Sequence, residues 1–340
     1  MISTREDQIE RRHLFIINPK SFPLQQDLNR ILSHIEGYFK ENPGQDYDIH
    51  LSRYPRDAVS VVRKRIGQIG ADRILRVYAL GGDGIIFDCL NGLIGSPHVE
   101  LALMPYGTGS DFVRAFGDEH YTQFRNIELQ VNSPVIPTDV IHCGNNCALN
   151  FCAVGLEAAS VIKTLSLNRR FEKARFRLPA LNGLFYVIGG MGAAFDRDVI
   201  GQYYEIDADG EDRSGFYSII NIANGPCYGS GRSAVPTAVP DDGALDMMAA
   251  RQVGSLKILR LIPEYLKGRY YKYPSICTLR RVQKVSIRSE SPLLVNLDGE
   301  SFFDSELTIE IIPSAVNIVA VNNLAYRRRG EYHEPHYSVK

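Results

Sequence analysis

Leu80-Gly-Gly-Asp-Gly-Ile-Ile-Phe-Asp-Cys-Leu-Asn-Gly92 is the stretch on which the reading of this chain turns. The apolar run 74–80 ahead of it reads as a buried strand. Behind it, Ile85, Ile86, Cys89, Leu90 and Leu93 recur at helical spacing. A strand that stops at glycines and becomes a helix leaves backbone N–H groups free at the helix start, where the macrodipole adds partial positive charge. Such a turn suits an anion, most simply a phosphate. Asp83 sits in its middle, and a carboxylate beside a phosphate repels it unless a cation lies between them. Glycines paired with Asp83 therefore point to a nucleotide held with Mg²⁺. A plain tight turn with an exposed aspartate is written with the same residues.

A second turn of the same kind follows. The short apolar run 101–104 leads into Pro105-Tyr-Gly-Thr-Gly-Ser-Asp-Phe-Val-Arg114. Ser110 or Thr108 is placed to cap the next helix, with Asp111 in its first turn. In an open parallel sheet both turns would lie at the carboxyl ends of strands, where ligands bind.

Working outward, 13–17 reads as a first strand ending at Asn18-Pro19-Lys20-Ser21, and 24–39 as a helix. A strand over 47–52 and a helix over 57–69 complete a β-α repeat, hence a three-layer α/β domain. From about residue 124 the pattern changes to short β-type runs at 127–131, 133–143, 147–154, 202–207, 215–223 and 244–250. Further strands are expected at 293–297, 305–312 and 316–321. This reads as an antiparallel sheet or sandwich, and Asp298-Gly299 is a strong hairpin signal within it. Residues 161–200 read as a helical insertion. Its basic, aromatic-bearing part (Arg169, Arg170, Phe171, Lys173) and its apolar part read as a solvated face beside a buried helix, and could also rest on an anionic lipid surface. Residues 1–12 and 326–340, the latter with Arg327-Arg-Arg329, read as flexible tails.

Composition sets the outer limits. At 340 residues the chain exceeds what one core usually supports. Its 44% apolar and 23% charged residues are those of a soluble globular protein. A net charge of −1 gives no general attraction to nucleic acid or anionic membrane. Six cysteines without a Cys-x-x-Cys pair read as buried free thiols in a reducing cytosol. The charged start carries no signal peptide, and the longest nearly apolar run, 184–195, is too short to span a bilayer. Any membrane contact is expected to be peripheral.

Gly81-Gly-Asp-Gly84, Asn91-Gly92 and Pro105-x-Gly-Thr-Gly-x-Asp-Phe112 together resemble the diacylglycerol kinase catalytic-domain family, which includes bacterial lipid kinases and sphingosine kinases. Three later segments resemble it too: Val154-Gly-Leu-Glu157-Ala, Asn224-Gly225 with Tyr228-Gly229 and Gly231, and Val239-Pro-Asp-Asp-Gly-Ala-Leu-Asp246. The resemblance implies an α/β nucleotide-binding domain like that of NAD kinases and phosphofructokinases, over 13–123 plus about 314–325. It also implies a β-sandwich lipid-substrate domain over 124–313.

By the same resemblance the activity is transfer of the γ-phosphate of ATP to the hydroxyl of diacylglycerol or a related lipid alcohol. The nucleotide would meet Asn18, Ser52, Gly81, Gly82, Asp83, Gly84, Ile85, Ile86, Phe87, Gly107, Thr108 and Gly109. Glu300 is implied as general base beside Asp298 and Asp83. Asp111, Asp139 and Asp298 would hold Mg²⁺ through water. A separate structural cation would use the Asp242 side chain and the carbonyls of Val239 and Ala244. The enzyme would be cytoplasmic, would work at a membrane surface, bind no nucleic acid, and leave a homodimer open. Four residues depart from the family pattern: Phe22 for glycine, Ile85 for threonine, Phe87 for asparagine and Ser110 for asparagine. Phe87 is placed to crowd or stack on the nucleotide. The alternatives are a lipid- or nucleotide-binding homologue that has lost catalysis, and a soluble-substrate kinase of the NAD kinase type.

Overall fold

The computed structural model describes residues 10–328 other than 71, 108, 161, 163–201 and 230. Thr108 and nearly all of the expected insertion therefore lie outside the described residues. The chain divides into two compact units, 1–138 with 314–325, and 139–313 with 326–340.

The first unit is built on parallel strands. β1 (Arg11–Ile17), β2 (Asp46–Leu51), β3 (Ile74–Gly81) and β4 (Val99–Pro105) lie in the order β2-β1-β3-β4. The last residues of a long late strand, β14 (Glu300–Val319), pair in parallel on the far side of β4 through Asn317 and Ile318. β3 and β4 are buried along almost their whole length, as strands covered on both faces must be, and so they read as nearly unbroken apolar runs. Helices α1 (Gln25–Glu41), α2 (Asp57–Ile66) and α3 (Asp83–Leu93) connect the strands. α1 buries Leu28, Ile31, Ile35 and Phe39, one stripe of a 3.6-residue period. α2 and α3 touch at Gly92, where an added Cβ would stand 2.8 Å from Val62. The Asn91-Gly92 pair thus serves packing: the Asn91 amide also donates to the Phe87 carbonyl at 2.8 Å.

Residues 127–131 do not form the expected strand. They lie in helix α4 (Ile127–Asn132), capped by the Asn126 side chain, which accepts from Leu129 N at 3.0 Å. The alternation of Ile127, Leu129 and Val131 imitated a strand, but the buried positions are Ile127, Gln130 and Val131. The Gln130 amide donates to the carbonyls of Leu103 (2.7 Å) and Phe124 (2.8 Å), which fixes α4 to the first unit. That is why this unit runs on to Thr138 and does not end near residue 123.

The second unit is antiparallel. β7 (Phe151–Gly155) pairs with β10 (Gly215–Ala223) and β13 (Lys284–Leu297). β11 (Leu245–Arg251) and β12 (Cys277–Val282) extend one side, and the first part of β14 the other. β8 (Gln202–Ala208) pairs with β10, β13 and the two-residue β9 (Glu211–Asp212). The run expected at 147–154 is two strands, β6 (Asn146–Ala148), which pairs with β5 (Val135–Cys143), and β7. The two runs expected after residue 305 are one strand, β14. A helix that the sequence reading did not anticipate, α5 (Ser255–Tyr265), closes an apolar cluster with Phe151, Ile219, Tyr228, Met248 and Tyr270.

The described residues of both expected tails are held in place. Arg12 pairs with Asp46 at 2.8 Å. Tyr326 is buried, and Arg328 makes a two-pronged ion pair with Asp241 at 2.6 and 2.9 Å, against the expectation of a tail. All six cysteines are buried free thiols. No helix among the described residues is long and apolar enough to cross a membrane.

Candidate phosphate-binding turns and carboxylate site

The order β2-β1-β3-β4 reverses direction between β1 and β3, and open α/β sheets bind ligands at such a point, beyond the carboxyl ends of the strands. There β1 runs into Asn18 and β3 into Gly81-Gly82. Asn18 N donates to Leu80 O at 3.0 Å, joining the two strand ends. The Asn18 side chain is turned to its own loop and accepts from Lys20 N at 3.1 Å. Gly81 has φ 159°, and a Cβ there would meet Ile85 at 2.8 Å and Ser21 at 3.0 Å, so the space is already taken. Ser52 closes the end of β2, its N–H donating to Ile17 O at 2.8 Å.

The second glycine turn is packed directly against the first. A Cβ at Gly107 would overlap the backbone of Gly82, and one at Gly109 would overlap the Asp83 carboxylate. The Asp83 oxygens accept from the backbone N–H groups of Ser110 and Asp111, each at 3.0 Å. Ser110 does not cap a helix. It is fully buried at φ 60°, ψ 45°, its hydroxyl donates to Gly81 O at 2.8 Å, and a short 3₁₀ turn, Asp111–Phe116, follows. The Tyr121 hydroxyl donates to Gly109 O at 3.1 Å from below, and burial raises its pKa above the usual phenol value. Tyr121 was invisible to motif reading, because its role is set by a backbone carbonyl twelve residues away.

Three departures from the family pattern have a structural account here. Ile85, Ile86 and Phe87 are buried, at 4%, 4% and 2% exposure. Phe87 faces inward under the Arg56 guanidinium, 5.1 Å from its ring centroid, so its ring is not placed to stack on a nucleotide. Phe22 lies against Tyr106 with ring centroids 5.1 Å apart. Gly82, Asp83 and Gly84 at the start of α3 are at least partly accessible, the exposed rim of the turn.

In the second unit Asp298-Gly299 is the two-residue turn joining β13 to β14. Both residues have positive φ, 47° and 95°, as a primed hairpin turn requires. The Asp298 carboxylate is nearly buried and accepts from three successive backbone groups: Leu149 N at 2.7 Å, Asn150 N at 3.1 Å and Phe151 N at 2.8 Å. Glu300, one residue beyond the turn, is exposed. Asp139 is buried and accepts from Gly243 N at 2.8 Å, while its own N–H donates to Pro240 O at 2.7 Å. Asp139 therefore braces the 239–244 loop.

That loop does not fit the structural cation which the resemblance implied. The Asp242 carboxylate accepts from Ala244 N at 3.2 Å and pairs with the Arg281 guanidinium at 2.8 Å. Arg281 also reaches the Asp242 carbonyl at 3.3 Å. The Asp242 carboxylate thus already has a cationic partner, the Arg281 guanidinium. Nor do three His, Cys, Asp or Glu side chains converge anywhere among the described residues as metal ligands. Asp83, Asp139 and Asp298 accept backbone N–H groups, and Asp111 is 3.6 Å from Arg114. These carboxylates hold loops.

Another carboxylate, Glu157, is buried at 4% exposure. Glu157 accepts from the hydroxyls of Tyr228 (2.9 Å) and Tyr265 (2.5 Å) and from the Asn221 amide (3.3 Å). Burial and the Glu157 charge hold the Tyr265 pKa well above the phenol range.

Comparison with known proteins places these features in a family context. Residues 12–143 match the family described as the diacylglycerol kinase catalytic domain. Residues 155–320 match the YegS C-terminal NAD kinase beta sandwich-like domain. A protein named "Probable lipid kinase YegS-like" from Shewanella frigidimarina is 25% identical over 285 residues, 82% of this chain and 86% of that one. A crystal structure described as a diacylglycerol kinase from Bacillus anthracis aligns with a TM-score of 0.65 at 20% identity, covering 92% of this chain and 98% of that one. At that identity the likeness speaks to the fold alone.

Proposed function

Because the chain belongs to the diacylglycerol kinase catalytic-domain family, a family of ATP-using lipid kinases, we propose that it transfers the γ-phosphate of ATP to the hydroxyl of diacylglycerol or a closely related lipid alcohol. The observation that supports this best is the pair of glycine turns tied together by Asp83 at the reversal point of the parallel sheet. Phosphoryl transfer asks little covalent chemistry of a protein; it needs a phosphate cradle, offset charge and an acceptor for the hydroxyl proton.

In this reading the N–H groups at the start of α3 and the Gly107 to Gly109 backbone cradle the phosphates. Asp83 is a positioning residue that holds the second turn in place. Glu300 takes the proton of the lipid hydroxyl as its oxygen bonds to the γ-phosphorus and the bond from that phosphorus to the ADP oxygen breaks. Mg²⁺ would arrive as the counter-ion of ATP. The protein would work in the cytoplasm against a membrane surface.

The test is incorporation of labelled γ-phosphate into an organic-extractable product from diacylglycerol, monoacylglycerol, ceramide or sphingosine in mixed micelles. Glu300→Gln should lower kcat by about 100-fold or more while the ATP-induced rise in Tm persists. If no lipid takes label although ATP still raises Tm, the kinase reading fails and a nucleotide-binding homologue without catalysis replaces it.

A further inference from the structure

The charge of this chain is almost balanced at −1, but it is not evenly spread. Across 251–284, nine of the ten charged residues are basic and only Glu264 is acidic. α5 lies within this span and is two-faced. Ile258, Leu261 and Tyr265 are buried at 1%, 2% and 4% exposure. Leu256, Lys257, Arg260 and Pro263 share the exposed side, and Lys267 follows one turn on at the same spacing. Glu264 neutralises Arg269 (2.7 Å) and Lys272 (2.9 Å), just past the helix. The side chains of Lys257, Arg260 and Lys267 enter no hydrogen bond or ion pair with a described residue. Among them Leu256 projects a full apolar side chain at 77% exposure.

We infer that this face of α5 is a docking surface for an anionic lipid bilayer, with Lys257, Arg260 and Lys267 facing the headgroups and Leu256 entering the interface. Unpaired cations beside an anionic leaflet contribute cooperatively through its surface potential, and a leucine adds apolar burial that only a lipid phase offers. A nucleic acid would use the charges but not the leucine. The inference takes its biological sense from the lipid-kinase reading, yet its test does not depend on catalysis.

The full chain is sedimented with vesicles of phosphatidylcholine alone and of equimolar phosphatidylcholine and phosphatidylglycerol. Binding is expected only to the second, weakening as salt rises. The triple variant Lys257→Glu, Arg260→Glu, Lys267→Glu should bind about a hundredfold more weakly or worse, and Leu256→Ser several-fold more weakly, both with unchanged Tm because all four side chains face solvent. Phosphorylation of a short-chain diacylglycerol in free solution should be untouched in the triple variant, while that of vesicle-borne substrate falls with binding. If the triple variant binds anionic vesicles as the parent does, or if the parent binds phosphatidylcholine equally well, the surface is not the docking face. Retention on RNA without retention on vesicles would overturn it too. Should the chain phosphorylate no lipid, the function falls but the vesicle comparison still decides this inference.

Discussion

Asp298 illustrates how one residue can satisfy two readings and then choose. As a motif letter it belongs to an acidic metal network; in the structure its two oxygens receive three backbone N–H groups and fix the turn between β6 and β7. Removing the carboxylate would orphan buried donors, which costs about 1–3 kcal/mol for each poorly resolvated group. Asp298→Ala should therefore lose about 2–4 kcal/mol in urea denaturation, equally with and without chelator; a loss seen only when Mg²⁺ is present would restore the metal role. His13 carries a pH prediction. Burial first, then the charges of Arg76 and Arg11, push its pKa down to about 3, and its Nδ1 sits 2.7 Å from the Tyr78 hydroxyl. Between pH 6.5 and about 3 the unfolded chain binds a proton that the folded chain refuses. Stability then falls as pH falls, by up to about 1.4 kcal/mol per unit. His13→Gln should flatten that slope between about pH 7 and 5, and parallel slopes in the two proteins would refute the assignment.

Among the elements, β3 contains the clearest case of what a sequence conceals. The run 74–80 is legible as a strand even though Arg76 interrupts it. Its partners are not legible, because Glu100 lies in another strand and the carbonyls of Gln130, Val131 and Ser133 belong to a segment whose alternation imitated β-structure. Fully buried, Arg76 donates to Glu100 at 2.6 Å and to those carbonyls at 2.5, 2.8 and 3.0 Å, sealing the end of α4. Arg76→Met would leave Glu100 buried with Arg11, at 3.4 Å, as its one remaining cationic partner among the described residues. The expected cost is about 3–5 kcal/mol, read as a lower urea midpoint; a neutral outcome would mean that water reaches Glu100. The glycine turns were readable because their demands are local, a positive φ or missing Cβ space. α5 escaped notice because Pro263 argues against a helix, although Lys257 and Arg260 break its apolar residues at helical spacing. The contacts of Asp83 and Asp298 escaped because their partners lie far along the chain.

On the scale of the whole molecule, the first unit is not a contiguous piece of sequence. Ile318, Val319 and Val321 are buried in it, and Ala320 N donates to Pro134 O at 2.8 Å. A fragment ending at residue 138 should lack a cooperative thermal transition, and fusing 314–325 to it through a short flexible linker should restore one, seen by circular dichroism. A fragment that melts cooperatively alone would make the late strand an accessory. The late strand also has a consequence for how the protein is made. Until its codons are read, β4 presents an open edge to the cell, and such edges invite pairing with other chains. The ribosome needs roughly 10–40 s to cover the intervening sequence at about 5–20 residues per second. Nascent chains must be shielded for that interval, and products of interrupted translation should aggregate or be degraded even when they contain every glycine of both turns.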